Sequence, residues 1–318
     1  MASIRELLPR LYMEMSLLKC YAYLSKDEIK PTIERLTIMI RGIANPLVAV
    51  YLRFYLCRVS LKLLGKDGEM YFYNNLKEFL EDYQQIFHPI MKKNYDMQSL
   101  PLDKYLQLYV PAVSWLLYGT LNSNKCEDSL IEKLLLQCQE LDNSELLLYC
   151  IIHAFNARSV TKNASVVLEM VRKSSDNMVL ISEILSCLGE HLCNAGSQQQ
   201  LESETLIQTW WKIVSSMKCT FQFLQVLEPW IQFACLHLST QHVNIILRGT
   251  IRYMVKSERT ADEYSGNFLF VVKRILKFVP DVEELFLMDA FMPLMELAQT
   301  ANARTMMAKN VLSISSRG

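Results

Sequence analysis

Glycine and proline are scarce, nine of each in 318 residues, against the ~7% glycine and ~5% proline of an average chain. A sheet protein of this size needs many tight turns, and tight turns need those two residues. Their scarcity argues against an all-β architecture and for helices joined by short loops. Charge of one sign is not in surplus either, since 33 Lys and Arg balance 33 Asp and Glu. A phosphate-binding surface draws on an excess of cations, so nucleic acid is not expected as the main ligand. Lys92-Lys93 is too short for an electrostatic membrane patch. No apolar run reaches bilayer-spanning length, so direct membrane insertion is not expected. The nine cysteines are scattered singly, with no Cys-x-x-Cys pair. Met1–Glu6 has no apolar core of signal-peptide type. That usage reads as reduced thiols in a cytoplasmic chain.

What the sequence does have is helix-forming material. Hydrophobic residues make up 51% of the chain. Single cores stop growing near about 250–300 residues, so the options are two domains or an elongated repeat array. Leu7, Leu8, Leu11, Met15, Leu18 and Ala22 recur at helical spacing behind a Ser3–Glu6 capping box. Ser25–Glu28 repeats the box ahead of Ile33, Leu36, Ile40 and Ile43, and Gly42 closes that helix. Asn45 is placed to cap the next helix with Pro46 at its first position. Leu47, Val50, Phe54 and Leu61 are that helix's expected core, and Lys66-Asp67-Gly68 breaks it. A helix over 69–87 is closed by His88-Pro89 and followed by a polar linker over 92–99.

Helix signals then follow at 101–121, 126–141, 144–157, 163–174, 178–194, 202–217, 220–238, 240–256, 262–278 and 281–299. Asn143-Ser144, Ser239-Thr240 and Asp281 are placed to cap. Many of these helices look apolar on several sides, as in Trp210-Trp211 and Ile245-Ile246-Leu247. The total is roughly thirteen helices, and successive pairs occupy about 35–45 residues, close to the HEAT and armadillo period. The expected fold is all-α, a right-handed alpha-solenoid of antiparallel HEAT-like helix pairs over 1–300, with a less ordered tail over 301–318.

Enzymatic patterns are thin. Cys187 and His191 share a helix face but Cys193 does not, whereas a structural zinc site wants four converging ligands. Cys235 with His237 and His242 is weaker still, and no metal or cofactor is expected. Cys150 and His153 lie three apart, but Cys150 sits in an apolar run, and a reactive thiol needs a polar, reachable setting. Glu81-Asp82, Asp262-Glu263 and Glu283-Glu284 read as solvated faces or first-turn acids. Tyr71-Phe72-Tyr73, Tyr105, Tyr109, Trp115 and Tyr118 read mainly as interhelical packing, with a partner-binding patch as the alternative. No nucleophile elbow, phosphate-cradling loop or dinucleotide fingerprint is present, so catalysis is not expected.

The run Pro9-Arg10-Leu11-Tyr12 carries more information. Leu11 belongs to the apolar stripe, while Arg10 and Tyr12 lie off its centre. The stretch Ser3–Tyr12 resembles the motif region of the large solenoid subunit of retromer. The stretch Met39–Arg58 resembles the same family's arginine-glycine, proline-leucine and arginine-x-tyrosine-leucine pattern, at Arg41-Gly42, Asn45-Pro46-Leu47 and Arg53-Phe-Tyr55-Leu. The retriever version, the vacuolar protein sorting 35-like family, is the nearer match. It shares the Lys19-Cys20 pair, Met39-Ile-Arg-Gly-Ile43 and Tyr55-Leu-Cys-Arg58. Leu108–Trp115, Leu146–Phe155 and Val226–His237 are similar to its later helices.

The resemblance implies a non-enzymatic scaffold of an endosomal coat that recycles membrane cargo, peripheral on endosomes. An arrestin-fold subunit would dock near the N-terminal helices, and a coiled-coil regulatory complex is a further partner. A metallophosphoesterase-fold subunit belongs to the family's C-terminal solenoid, which this portion lacks. Family members are far longer, so the match is to an inner portion: a fragment, a truncated gene model or a short form with exposed apolar ends. Arg10, Arg41 and Arg53 are candidates for charge-assisted hydrogen bonds between adjacent helices, with direct partner contact as the alternative. A helical-repeat adaptor of an unrelated intracellular pathway is the other functional reading.

Overall fold

The computed structural model of the chain describes residues 6–24, 26–123, 127–174, 178–195, 203–256, 265–279, 282–297, 304–305 and 308–309. Among the described residues every regular element is helical. No helix among them is long and apolar enough to cross a membrane. The chain divides into two compact units, Met1–Ala154 and Phe155–Gly318.

The first unit holds α1 (Leu7–Leu24), α2 (Ile29–Ile40), α3 (Pro46–Leu64), α4 (Met70–Glu81), α5 (Pro89–Met97), α6 (Leu102–Gln107), α7 (Val110–Ser123), α8 (Glu127–Gln139) and α9 (Glu145–Ala154). Each packs on a sequence neighbour or the next helix along the stack: α1 on α2 and α3, α3 on α4 and α7, α7 on α4 and α9. That local pattern is how stacked helix pairs share one continuous core. Leu11, Met15 and Leu18 of α1 are fully buried, as are Ile33, Leu36 and Ile40 of α2. Gly65 takes a φ of 58° at the end of α3, where a side chain would be strained. Gly119 lets α7 approach α4, because a Cβ there would lie 2.0 Å from the Phe72 ring.

The second unit holds α10 (Ala157–Lys162), α11 (Ala164–Lys173), α12 (Met178–Asn194), α13 (Ser203–Val214), α14 (Thr220–His237), α15 (Thr240–Lys256), α16 (Ser265–Phe278), α17 (Val282–Leu287) and α18 (Phe291–Glu296). Its centre is the succession α12, α14, α16. Trp230 of α14 stacks on Trp210 with centroids 4.9 Å apart, and its Nε1 donates to the Leu185 carbonyl at 2.7 Å. Both indoles are fully buried, so each contributes as a large apolar body, and the Trp230 N–H is spent. Phe223 stacks on Tyr253 at 3.8 Å. Arg274 donates to Glu228 at 3.0 Å, tying α16 to α14. Asp289 gathers Arg248 and Asn244 of α15.

Several expected boundaries are corrected. The expected linker over 92–99 is mostly α5. His88 Nδ1 caps it by accepting from the Ile90 amide, Pro89 sits at its first position, and buried Tyr95 holds it against Tyr105 with centroids 4.9 Å apart. One aromatic anchor is too little periodicity to read from sequence. The expected 69–87 helix ends at Glu81 and continues as a 3-10 turn, Tyr83–Phe87. The expected 101–121 and 281–299 helices each divide into two. Leu61, expected to be buried, is exposed, and so is Ile245 of the apolar Ile245-Ile246-Leu247 run. Val50 is in the α3 core as expected, joined by Leu52, Leu56 and Cys57, and Ile246 and Leu247 are the buried pair of that run. Ser3 and Ser25 of the two capping boxes, Asp281 and most of 301–318 lie outside the described residues.

Candidate functional site

The quoted motif residues gather along α1 to α4. Pro9 is the third residue of α1 and exposed, where its missing N–H would have had no helical partner. Leu11 points into the core with no exposed surface. Arg10 Nε donates to Glu14 Oε1 at 2.8 Å, and Arg35 of α2 donates to the other oxygen of Glu14. Burial pushes the Glu14 carboxyl up, but the two arginine hydrogen bonds outweigh it and hold the group below its ordinary value. Tyr12 is exposed, its ring tilted against Tyr55 of α3 at 6.4 Å.

A second cluster begins where α2 ends. Arg41 is its C-cap, and its Nε and Nη2 donate to the two carboxylate oxygens of Glu78 on α4. Arg53 of α3 is 1% exposed. Its Nη2 donates to Asp82 Oδ2 at 3.1 Å, and its Nη1 lies 3.8 Å from Glu78 Oε2 with no hydrogen bond. Burial pulls the Arg53 guanidinium down, and the Glu78 and Asp82 charges oppose it. The Arg41 hydrogen bond holds Glu78 below its ordinary value. Four charges thus run Arg41–Glu78–Arg53–Asp82 across α2, α3 and α4.

The remaining motif residues set the geometry. A Cβ at Gly42 would lie 2.8 Å from Leu7 Cδ2, so the turn after α2 seats against α1. Asn45 accepts from the Leu47 and Val48 amides at 3.0 and 3.3 Å, with buried Pro46 at the first helical position. Glu14, Arg35, Glu78 and Asp82 were missing from the motif reading. Glu14 carries a findable signal, four residues after Arg10. Glu78, 37 residues from Arg41, carries none.

The residues weighed for chemistry do not converge. Cys150 is fully buried, its thiol pushed up to about 12 by desolvation. His153 is exposed, with Nδ1 3.0 Å from the Tyr149 carbonyl. Cys193 donates to the Pro229 carbonyl at 3.4 Å, and burial pushes Cys187 up to about 12. Among the described residues no three His, Cys, Asp or Glu side chains are grouped to hold a metal. Asp82 is spent on Arg53, Glu81 pairs with Lys77 at 3.8 Å, and Asp262-Glu263 lies outside the described residues.

Two family models match this chain. One, described as VPS35L, matches residues 1–108, the stretch that carries both charge clusters. The other, described as the VPS35L C-terminal domain, matches residues 126–317. The chain belongs to the VPS35L family. Residues 126–317 therefore carry sequence of that family's C-terminal domain, which corrects the expectation that this portion lacks it. Similar proteins include "VPS35 endosomal protein-sorting factor-like" of Danio rerio, 31% identical over 98% of this chain and 32% of that protein. The protein of the same name in Homo sapiens is 30% identical over 98% of this chain and 32% of its own length. The Drosophila melanogaster relative is 27% identical over 98% of this chain. The chain thus spans about a third of the length of the curated relatives it matches. In this VPS35L-family chain Pro9, Gly42, Asn45 and Pro46 serve helix termini, Leu11 the core, and Arg10, Arg41 and Arg53 ion pairs, while Tyr12 stays exposed against Tyr55.

Proposed function

We propose that this chain is a non-enzymatic scaffold segment of a retriever-like or retromer-like endosomal coat, supporting endosome-to-surface recycling of membrane cargo. The observation that carries the proposal is the Arg10–Glu14–Arg35 and Arg41–Glu78–Arg53–Asp82 bracing of α1 to α4, set in a chain of the VPS35L family. Family-typical residues are spent on holding helices at fixed angles, which is what a platform for other subunits requires. The name of the relatives, endosomal protein-sorting factor-like, supports the same reading. An arrestin-fold subunit docks on the N-terminal helices, with exposed Tyr12 within its footprint.

The test is capture of a purified arrestin-fold coat subunit by the full chain. Wild type retains it, and an Arg10→Ala/Tyr12→Ala variant with unchanged circular dichroism retains several-fold less. Equal retention removes the contact from these residues, and no retention by wild type removes the docking.

A further inference from the structure

Carboxylates are distributed unevenly over the first unit. Helices α1, α3, α7 and α9 together hold two, Glu14 and Glu145, and both are buried. Helices α2, α4, α5, α6 and α8 hold Glu34, Glu78, Glu81, Asp96, Asp103, Glu127, Asp128 and Glu132. The acid-poor helices are successive neighbours, α1 on α3, α3 on α7 and α7 on α9. They therefore present a surface whose exposed side chains carry no negative charge.

That surface is aromatic. Tyr12 leans on Tyr55. Trp115 packs on Phe54 with centroids 4.5 Å apart and meets Tyr51 edge-on at 6.3 Å. Trp115 is nevertheless 44% exposed and Tyr118 47%. The rings are held in place: the Tyr51 hydroxyl donates to the Leu108 carbonyl at 3.0 Å, and that of Tyr118 to the His153 carbonyl at 3.3 Å. Lys19 follows Tyr12 by two helical turns on α1, and Arg58 and Lys62 follow Tyr51 and Tyr55 along one stripe of α3. All three are exposed, and none joins an ion pair among the described residues.

We infer that this face receives an extended acidic segment of a partner protein, its apolar side chains lodged against Trp115, Phe54 and Tyr51 and its carboxylates on Arg58, Lys62 and Lys19. Pre-ordered aromatic rings give contact area at little entropic cost. Free cations with no opposing carboxylate draw in acidic chains and turn basic ones away. The occupant is a linear segment, so the inference goes beyond the coat-scaffold reading and does not need the arrestin-fold subunit.

The experiment is selection from a random 16-residue phage-displayed library on the immobilised 318-residue chain. The enriched pool is net acidic, with Phe, Leu or Trp between Asp and Glu. A synthetic peptide of the leading sequence binds wild type and loses about tenfold or more in affinity on Arg58→Glu/Trp115→Ala, and also as salt is raised. Lys19→Glu/Lys62→Glu, at two exposed lysines, is the second variant should the first fail to fold, and it shows the same loss. A neutral or basic pool, no enrichment, or equal binding to a folded variant overturns the inference. The peptides are synthetic and no coat subunit is present, so this outcome is separate from that of the arrestin-fold capture.

Discussion

Removing Glu78 and removing Arg53 break the same cluster at very different cost. Glu78→Ala deletes the partner of Arg41, whose side chain is half exposed, and such pairs are worth about 0.2–1 kcal/mol. It also deletes one of the two charges that compensate buried Arg53. At 3.8 Å and an effective dielectric of about 20, that attraction is at most about 4 kcal/mol. Asp82 remains 3.1 Å away with its side chain 35% exposed, so part of the compensation and some access to water survive. The expected net loss is about 2–3 kcal/mol, below the ~3–5 of a buried pair stripped of its only partner. Arg53→Met removes the buried charge together with its desolvation cost and fills similar volume. Glu78 keeps Arg41 and Asp82 faces water, so the expected loss is under about 1 kcal/mol. Native-state hydrogen exchange by mass spectrometry reads both from α3 and α4 amides. Glu78→Ala speeds exchange roughly 30- to 150-fold, at about 1.4 kcal/mol per tenfold, and Arg53→Met less than about fivefold. If Arg53→Met costs as much as Glu78→Ala, desolvation does not dominate at Arg53 and the reasoning fails.

The two depressed carboxylates fix the sign of the acid response. A group held below its unfolded value adds stability above that value and loses it as the pH falls through the folded one. Glu14 and Glu78 are both held down by arginines, so exchange protection of α1 to α4 declines once the pH drops below the ordinary glutamate value of about 4.3. A Glu14→Gln/Glu78→Gln chain starts lower and shows a flatter profile, and an unchanged profile refutes the assignment. Thiol access is checked by iodoacetamide mapping of the native chain. Cys20 and Cys219, which are exposed, label, whereas Cys138 and Cys150, buried and pushed up to about 12, label only after denaturant is added. Native labelling of Cys150 contradicts its burial.

Helices were readable wherever a local rule acts within one turn. Asn45-Pro46 announces α3 because cap and first-turn proline are adjacent in sequence, and the Asn45 side chain accepts from the two amides that rule requires. Apolar periodicity places α1, α12 and α14 for the same reason. Reading failed where the deciding contact is remote. The α5 helix rests on Tyr95 against Tyr105, and Tyr105 lies beyond the helix, where no spacing within α5 shows it. The turn at Asn143, with a φ of 53°, is held by Tyr83 and Gln84 donating to the carbonyls of Asn143 and Asp142 about sixty positions away. At the candidate site, Arg10, Arg41 and Arg53 stood out as arginines in a family pattern. The acids of Arg41 and Arg53, Glu78 and Asp82, did not, because a carboxylate's partner across a helix interface is set by stacking order and not by spacing.

The formal charge of zero illustrates the same limit from the other side. Summed over the chain it argues against nucleic acid as the main ligand. Electrostatic recognition, however, acts over about 8–10 Å at physiological salt, close to the spacing of packed helices. What a partner meets is therefore the balance on a few adjacent helices, not the balance on the chain. Helix α3 has no acid in 19 residues and α7 has no charged residue in 14, facts visible in the sequence once the helix limits are drawn. Their consequence depends on α7 lying beside α3, a relation carried by Trp115 on Phe54 across 61 positions. A stack of helix pairs puts every second helix on the same side, so any bias that alternates from helix to helix accumulates on one face while cancelling in the total.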